Sequence, residues 1–279
     1  MLAAFLIEYP FYLVTGFASE RTRLGGNRLP VVLLISAMAP YLAACCGAVQ
    51  FTWLGAMRLA ALALALSLWY VVLPARPAAD LCFLALLPAV LLSPYFETIY
   101  ASPYKDVVIL GHLALIQIAV LALLNQRRLP DFGYGFLPQG PEWRIGAVQF
   151  VYFAVIGIPL ALALKVVHFT HPAPVWKDAA TFIGVLWVVA LSEEFLFRGV
   201  LQHWIEEWTW SAKIALVATS ALFGLMHLWF RPGFPNWRLA IVAGVLGFFC
   251  GRARNQAGTI RAGMVTHALV VTAWRAFFA

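Results

Sequence analysis

Glu193, Glu194 and Arg198 stand inside an otherwise apolar run, TFIGVLWVVALSEEFLFRGVLQHW. At about 2.5–3.5 kcal/mol per charge near the centre of a membrane helix, three such side chains facing lipid would cost on the order of 8–10 kcal/mol. They must therefore face a polar cavity or one another. Glu194 and Arg198 are spaced i, i+4, on one helix face and within pairing range, whereas Glu193 lies about 100° around the helix. One carboxylate can be neutralised by the arginine, and the other is left for acid or base work.

Two histidines complete a possible site. His227 sits in ALFGLMHLW and His267 in MVTHALVV. Glu193 and His227 lie 17 residues on either side of Trp210, so a helical hairpin turning there brings them to the same depth. Seventeen residues rise roughly 25 Å, so the tip with Glu206, Glu207 and Lys213 can leave the bilayer while Glu193 and His227 stay within it. One carboxylate and two imidazoles on three helices supply what water activation needs: a base, a group to orient the water and a donor for the developing oxyanion.

The order Glu193-Glu194-x-x-x-Arg198, Phe223-x-x-x-His227, Phe248-x-x-x-Arg252 and then His267 resembles the CPBP family of intramembrane proteases. That family includes the Rce1-type CAAX prenyl endopeptidases and bacterial relatives described as self-immunity proteins. The resemblance covers residues 130–279. It implies that Glu193 activates the hydrolytic water, that His227 is its partner and that His267 helps to stabilise the oxyanion, with Glu194, Arg198, Phe223 and Arg252 in supporting roles. It also implies a glutamic-type mechanism with no cofactor, and a substrate that is a membrane-delivered protein or peptide cut near its carboxyl end. The family usually carries Asn or a similar polar residue four positions after the third-motif histidine, and here that position is Val271. Thr272 is polar but points about 140° away from His267.

Each residue also has a plainer reading. Glu194 and Arg198 form a structural ion pair, Glu193 and His227 a buried contact between helices, His267 a lone polar contact, Arg252 a topology anchor beside Arg254, and Phe223 packing one turn from His227. Interhelical polar contacts average only about 0.6 kcal/mol, which makes a glutamate a costly choice for that task. His112 and His203 have no partner assignable by spacing, and His168 and His171 are read as interfacial. Two histidines and a carboxylate can bind a divalent metal, which stays open as an alternative, although HExxH is absent. Two further functions compete: a non-catalytic scaffold or self-immunity protein of the same fold, favoured by Val271, and a proton-coupled transporter.

The elements that must position these residues are helices in a bilayer. The chain has 279 residues, 63% hydrophobic and 11% charged, where a soluble domain has roughly 45–50% and about 25%. That excludes a water-soluble domain, and continuously apolar runs such as Leu59 to Leu73 exclude the alternation of a membrane barrel. The reading is an all-α, polytopic bundle of about 8–10 spans, placed near 2–18, 30–50, 54–74, 81–99, 106–125, 146–168, 178–202, 212–230, 238–252 and 260–278. Pro88 and Pro94 kink the fourth. The amino-terminal stretch carries Glu8 and no basic region, and is read as a span, not a signal peptide.

The net charge of +7 comes from 19 Lys and Arg, scattered at the ends of apolar runs. It is a topology signal and not a nucleic-acid surface. Arg21, Arg23 and Arg28, then Arg127, Arg128 and Arg144, then Arg252, Arg254 and Arg261 mark cytoplasmic loops. Cys45, Cys46, Cys82 and Cys250 show no metal-ligand spacing and are expected to pack as small apolar groups. The Pro- and Gly-rich stretch Gln126 to Trp143 divides the chain into 1–125, read as accessory helices, and 126–279, which the resemblance implies is a protease core. The compact, Ala-, Leu- and Arg-rich chain points to a bacterial cytoplasmic membrane, with the lipid bilayer and a membrane-embedded substrate as partners.

Overall fold

A computed structural model describes residues 1–24, 26, 28–170, 174–230 and 233–278; His171 lies outside them. Ten main helices follow one another where apolar runs were expected: α1 Leu2–Val14, α2 Leu29–Cys45, α3 Trp53–Val72, α4 Pro77–Leu92, α5 Lys105–Gln126, α6 Gly140–Ala163, α7 Val175–Thr209, α8 Ala212–Trp229, α9 Trp237–Ala257 and α10 Ile260–Phe277. Among the described residues, extended pairing is confined to a bridge between Phe169 and Phe278. Five of the helices, α3, α5, α6, α7 and α8, are both long and apolar enough to cross a bilayer by themselves. The others are short, as α1, α2 and α4 are, or carry arginines, as α9 and α10 do at Arg238, Arg252, Arg254, Arg261 and Arg275. The protein is an integral membrane helical bundle.

The chain forms two compact units, Met1–Pro130 and Asp131–Ala279. In the first, α1, α2, α3 and α5 pack together. Its interior holds polar anchors: Gln117 donates to Ser36 at 3.0 Å, and Arg127 grips Asp80 through two contacts of 2.9 Å. The expected kink at Pro94 is a break instead. α4 ends at Leu92, and a separate short helix, Tyr95–Ile99, follows Pro94, because a proline lacks the N–H that would continue the ladder.

In the second unit α9 packs against α6, α8 and α10, and the middle of α7 packs on α10. Lipid supplies little hydrophobic drive between helices, so close approach at small residues matters most. At Gly224 on α8 a Cβ would come within 2.5 Å of the Ala240 carbonyl of α9; the two backbones meet there, and no larger residue fits. The segment before α6 is not loose. The Asp131 carboxylate accepts from the N–H groups of Gly133 and Tyr134, and Phe132 accepts from the Ile260 N–H at 2.8 Å. Glu142, in the first turn of α6, accepts from the backbone of Gln139, from Thr259 and from Arg261 at 2.6–3.0 Å. That carboxylate fixes the start of α6 to the start of α10.

Candidate active site

α7 is 35 residues long and is wound unevenly. Two π-helical stretches, Val185–Ala190 and Phe195–Leu201, flank the single α turn Leu191–Glu194. Wider turns of this kind re-aim the side chains that follow and occur often at functional sites. They leave Glu194 and Arg198 with no exposure and Glu193 with its side chain 35% exposed.

The two carboxylates accordingly differ. Glu194 Oε2 faces Arg198 Nε at 3.2 Å, a charge contact without hydrogen-bond alignment, and Glu194 Oε1 accepts from His267 Nδ1 at 3.0 Å. Arg198 also donates from Nη2 to the Gly247 carbonyl at 2.9 Å and lies over the Phe223 ring, 4.5 Å from its centroid. Gly263 on α10 makes room for this arrangement, since a Cβ there would lie 2.7 Å from Glu194 Oε2.

His267 is the hub of the site. Donation from Nδ1 to Glu194 fixes the ring and leaves Nε2 facing Glu193 Oε2 at 3.8 Å. The Phe223 ring meets His267 edge-on, with centroids 5.7 Å apart. Phe223 is fully buried and supports both Arg198 and His267, a larger part than packing beside His227. The neighbouring α10 turn is fixed by Thr266, whose hydroxyl donates to the Gly146 carbonyl at 3.0 Å.

His227 caps the α-helical part of α8, Ala212–Met226, and opens the tight 3-10 turn His227–Trp229 that finishes α8. Its backbone N–H turns to Gly224, and its Nδ1 takes up the Phe223 carbonyl at 2.8 Å. A carbonyl only accepts, so Nδ1 carries the proton and Nε2 of the neutral ring is an acceptor. The Phe230 ring stacks on His227 at 5.3 Å. The hairpin turns at Trp210, which adopts a left-handed conformation at φ 53°.

Glu193, His227, His267 and Val271 line one cavity of about 860 Å³. Among the described residues His267 is in ion-pair range of Glu193, and His227, to which the hairpin symmetry points, lines the same cavity. Arg252 is not brought to this cavity; its guanidinium lies about 6 Å from the rings of Tyr152 and Phe248. His203 does have partners, Glu207 at 3.3 Å and the Phe132 ring at 4.6 Å, and His112 packs edge-on against Phe96.

Residues 175–273 match the family model for type II CAAX prenyl endopeptidase Rce1-like proteins. That stretch of the chain is similar to the Rce1-like family. No curated protein and no solved structure matches the chain. The Rce1-like stretch takes in both glutamates, Arg198, Phe223, His227, Arg252, His267 and Val271. It also contains Cys250, to which sequence reasoning gave only apolar packing. Cys250 is buried with a donor atom that lies, with those of Glu194 and His267, inside a 4.8 Å cluster. Three such atoms could in principle hold a metal ion, but Arg198 already occupies the other side of Glu194, and a divalent ion would meet its like charge. Cys46, just past α2, and Cys82, on α4, are exposed.

Proposed function

We propose that this protein is an intramembrane endopeptidase of the glutamic type, cutting a membrane-delivered protein or peptide near its carboxyl end in a bacterial cytoplasmic membrane. The observation that carries this reading is the division of labour between adjacent carboxylates. Glu194 is spent on Arg198 and His267, while Glu193 faces the cavity, 35% exposed, beside His267 and in the same cavity as His227.

Glu193 takes a proton from water as the water oxygen bonds to the scissile carbonyl carbon. His227, with Nδ1 held by Phe223, offers Nε2 to orient that water. His267 donates from Nδ1 to Glu194, and when a proton is also on Nε2 it donates into the cavity, where an oxyanion develops. On collapse the C–N bond breaks and the proton held by Glu193 passes to the leaving nitrogen. No metal is required by this scheme, so cleavage survives chelation; loss of activity on chelation, restored by a divalent ion, would favour a metal on the Glu194, Cys250 and His267 cluster instead.

Glu193→Gln tests the proposal, because the amide keeps the shape and removes the base. Purified protein carrying it should lose about 10²–10⁴-fold in hydrolysis with unchanged thermal unfolding. Undiminished cleavage removes Glu193 from the mechanism. A second reading, a non-catalytic scaffold or self-immunity protein, is favoured by Val271, which puts an apolar side chain into the cavity; it predicts no cleavage by the parent protein at all.

A further inference from the structure

The mouth of the cavity has a charge pattern that neither helix stability nor topology explains. Lys165, just past α6, Arg238 in the first turn of α9 and Arg275 in the last turn of α10 all line it and are exposed. Glu193 is the only carboxylate among its lining residues, and among the described residues none of the three cations has an ion-pair partner. A cation near a helix carboxyl end is favoured by the helix dipole, but one in the first turn is opposed, so Arg238 works against its own helix. Topology gives no reason for the cluster either. With the loops that carry Arg144, Arg254 and Arg261 facing the cytoplasm, the end of α6, the start of α9 and the end of α10 lie on the opposite side, where the positive-inside bias does not call for cations. The same cavity is also lined by the apolar side chains of Val166, Val189, Leu239, Val271 and Trp274, and by the polar Asn236.

We infer that Lys165, Arg238 and Arg275 form a subsite for the free α-carboxylate of the substrate, whose last apolar side chains lie against those walls while the scissile bond reaches Glu193. Lys165 and Arg275 fall outside the Rce1-like stretch, and Arg238 lies inside it. The inference rests on the proteolytic reading of the cavity, and its test reads binding so that the two can fail separately.

The full chain carrying Glu193→Gln, in discs of neutral phosphatidylcholine, is titrated with a fluorescent peptide of Val, Leu and Ala bearing a free terminal carboxylate, and with its amide-capped twin. The free acid should bind about tenfold more tightly, each of Lys165→Gln, Arg238→Gln and Arg275→Gln should reduce that preference about two- to fivefold, as exposed charge contacts do, and the triple variant should abolish it. Equal affinity for the two peptides, binding of neither, or a preference that survives the triple substitution overturns the subsite. So does a rim that responds only to added phosphatidylglycerol, which would make it a lipid headgroup site. Because no hydrolysis is read, an inactive parent enzyme leaves this result standing, and a failed carboxylate preference leaves the role of Glu193 untouched.

Discussion

At the residue scale the site is a chain of charge compensation: Arg198 holds Glu194, Glu194 holds His267, and His267 faces Glu193. Removing one member of a buried ion pair leaves the other charge uncompensated, at a cost of about 3–5 kcal/mol. Glu194→Gln should therefore lower thermal stability in detergent as well as activity, whereas Glu193→Gln, at a partly exposed position, should lower activity alone. Equal unfolding temperatures for the two variants would contradict this ordering. Val271 invites the opposite experiment. An added donor beside His267 can contribute about 2.7–4 kcal/mol to a transition state, so Val271→Asn should raise turnover on a peptide substrate; a fall would place the oxyanion donor elsewhere in the cavity.

At the element scale, the site depends on helices that approach closely and wind unevenly. The π-helical stretches on either side of Leu191–Glu194 aim one glutamate inward and the next toward the cavity. The α-helical winding of α8 stops at Met226, which makes His227 its cap residue. Gly224 and Gly263 mark two different kinds of close contact, the first backbone against backbone and the second backbone against the Glu194 carboxylate. Gly224→Ala should destabilise the α8 and α9 pair by about 1–3 kcal/mol, the usual cost of overpacking, read as a lower unfolding temperature. Gly263→Ala should instead displace the carboxylate that holds His267, with activity falling further than stability. If both variants lose only stability, Gly263 has no part in setting the site.

At the scale of the whole molecule, the contacts described for Glu193, Glu194, Arg198, His227 and His267 are all with residues of Asp131–Ala279. Residues 131–279 produced alone in membranes should keep this arrangement and retain cleavage, with any loss confined to substrate affinity. A collapse of kcat in that fragment would give the first 130 residues a part in the chemistry. The orientation has its own check: in a cysteine-free background, a cysteine at Arg144 or Arg254 should be labelled from the cytoplasmic side, and one at Trp237 from the other.

The sequence by itself determined the helical, membrane-embedded class and the helix that carries the buried charges of the candidate site, because apolar length is set by bilayer thickness and a charge inside such a helix is too costly to be incidental. It also located Glu194 with Arg198, a pair four residues apart, since local helix geometry puts them on one face. The π-helical turns of α7 were not legible, for they depend on how α7 packs on α10 and no residue type encodes them. Nor was the choice of His267 as the imidazole beside Glu193, because helix depth equates levels without specifying which faces meet. Cys250 read as a small apolar residue until α9 placed it against Glu194. Lys165, Arg238 and Arg275, far apart along the chain, became one rim only when three helix ends came together around the cavity. Spacing in sequence reports neighbours along one helix; contacts between helices are decided by close packing, and only the tertiary structure contains that.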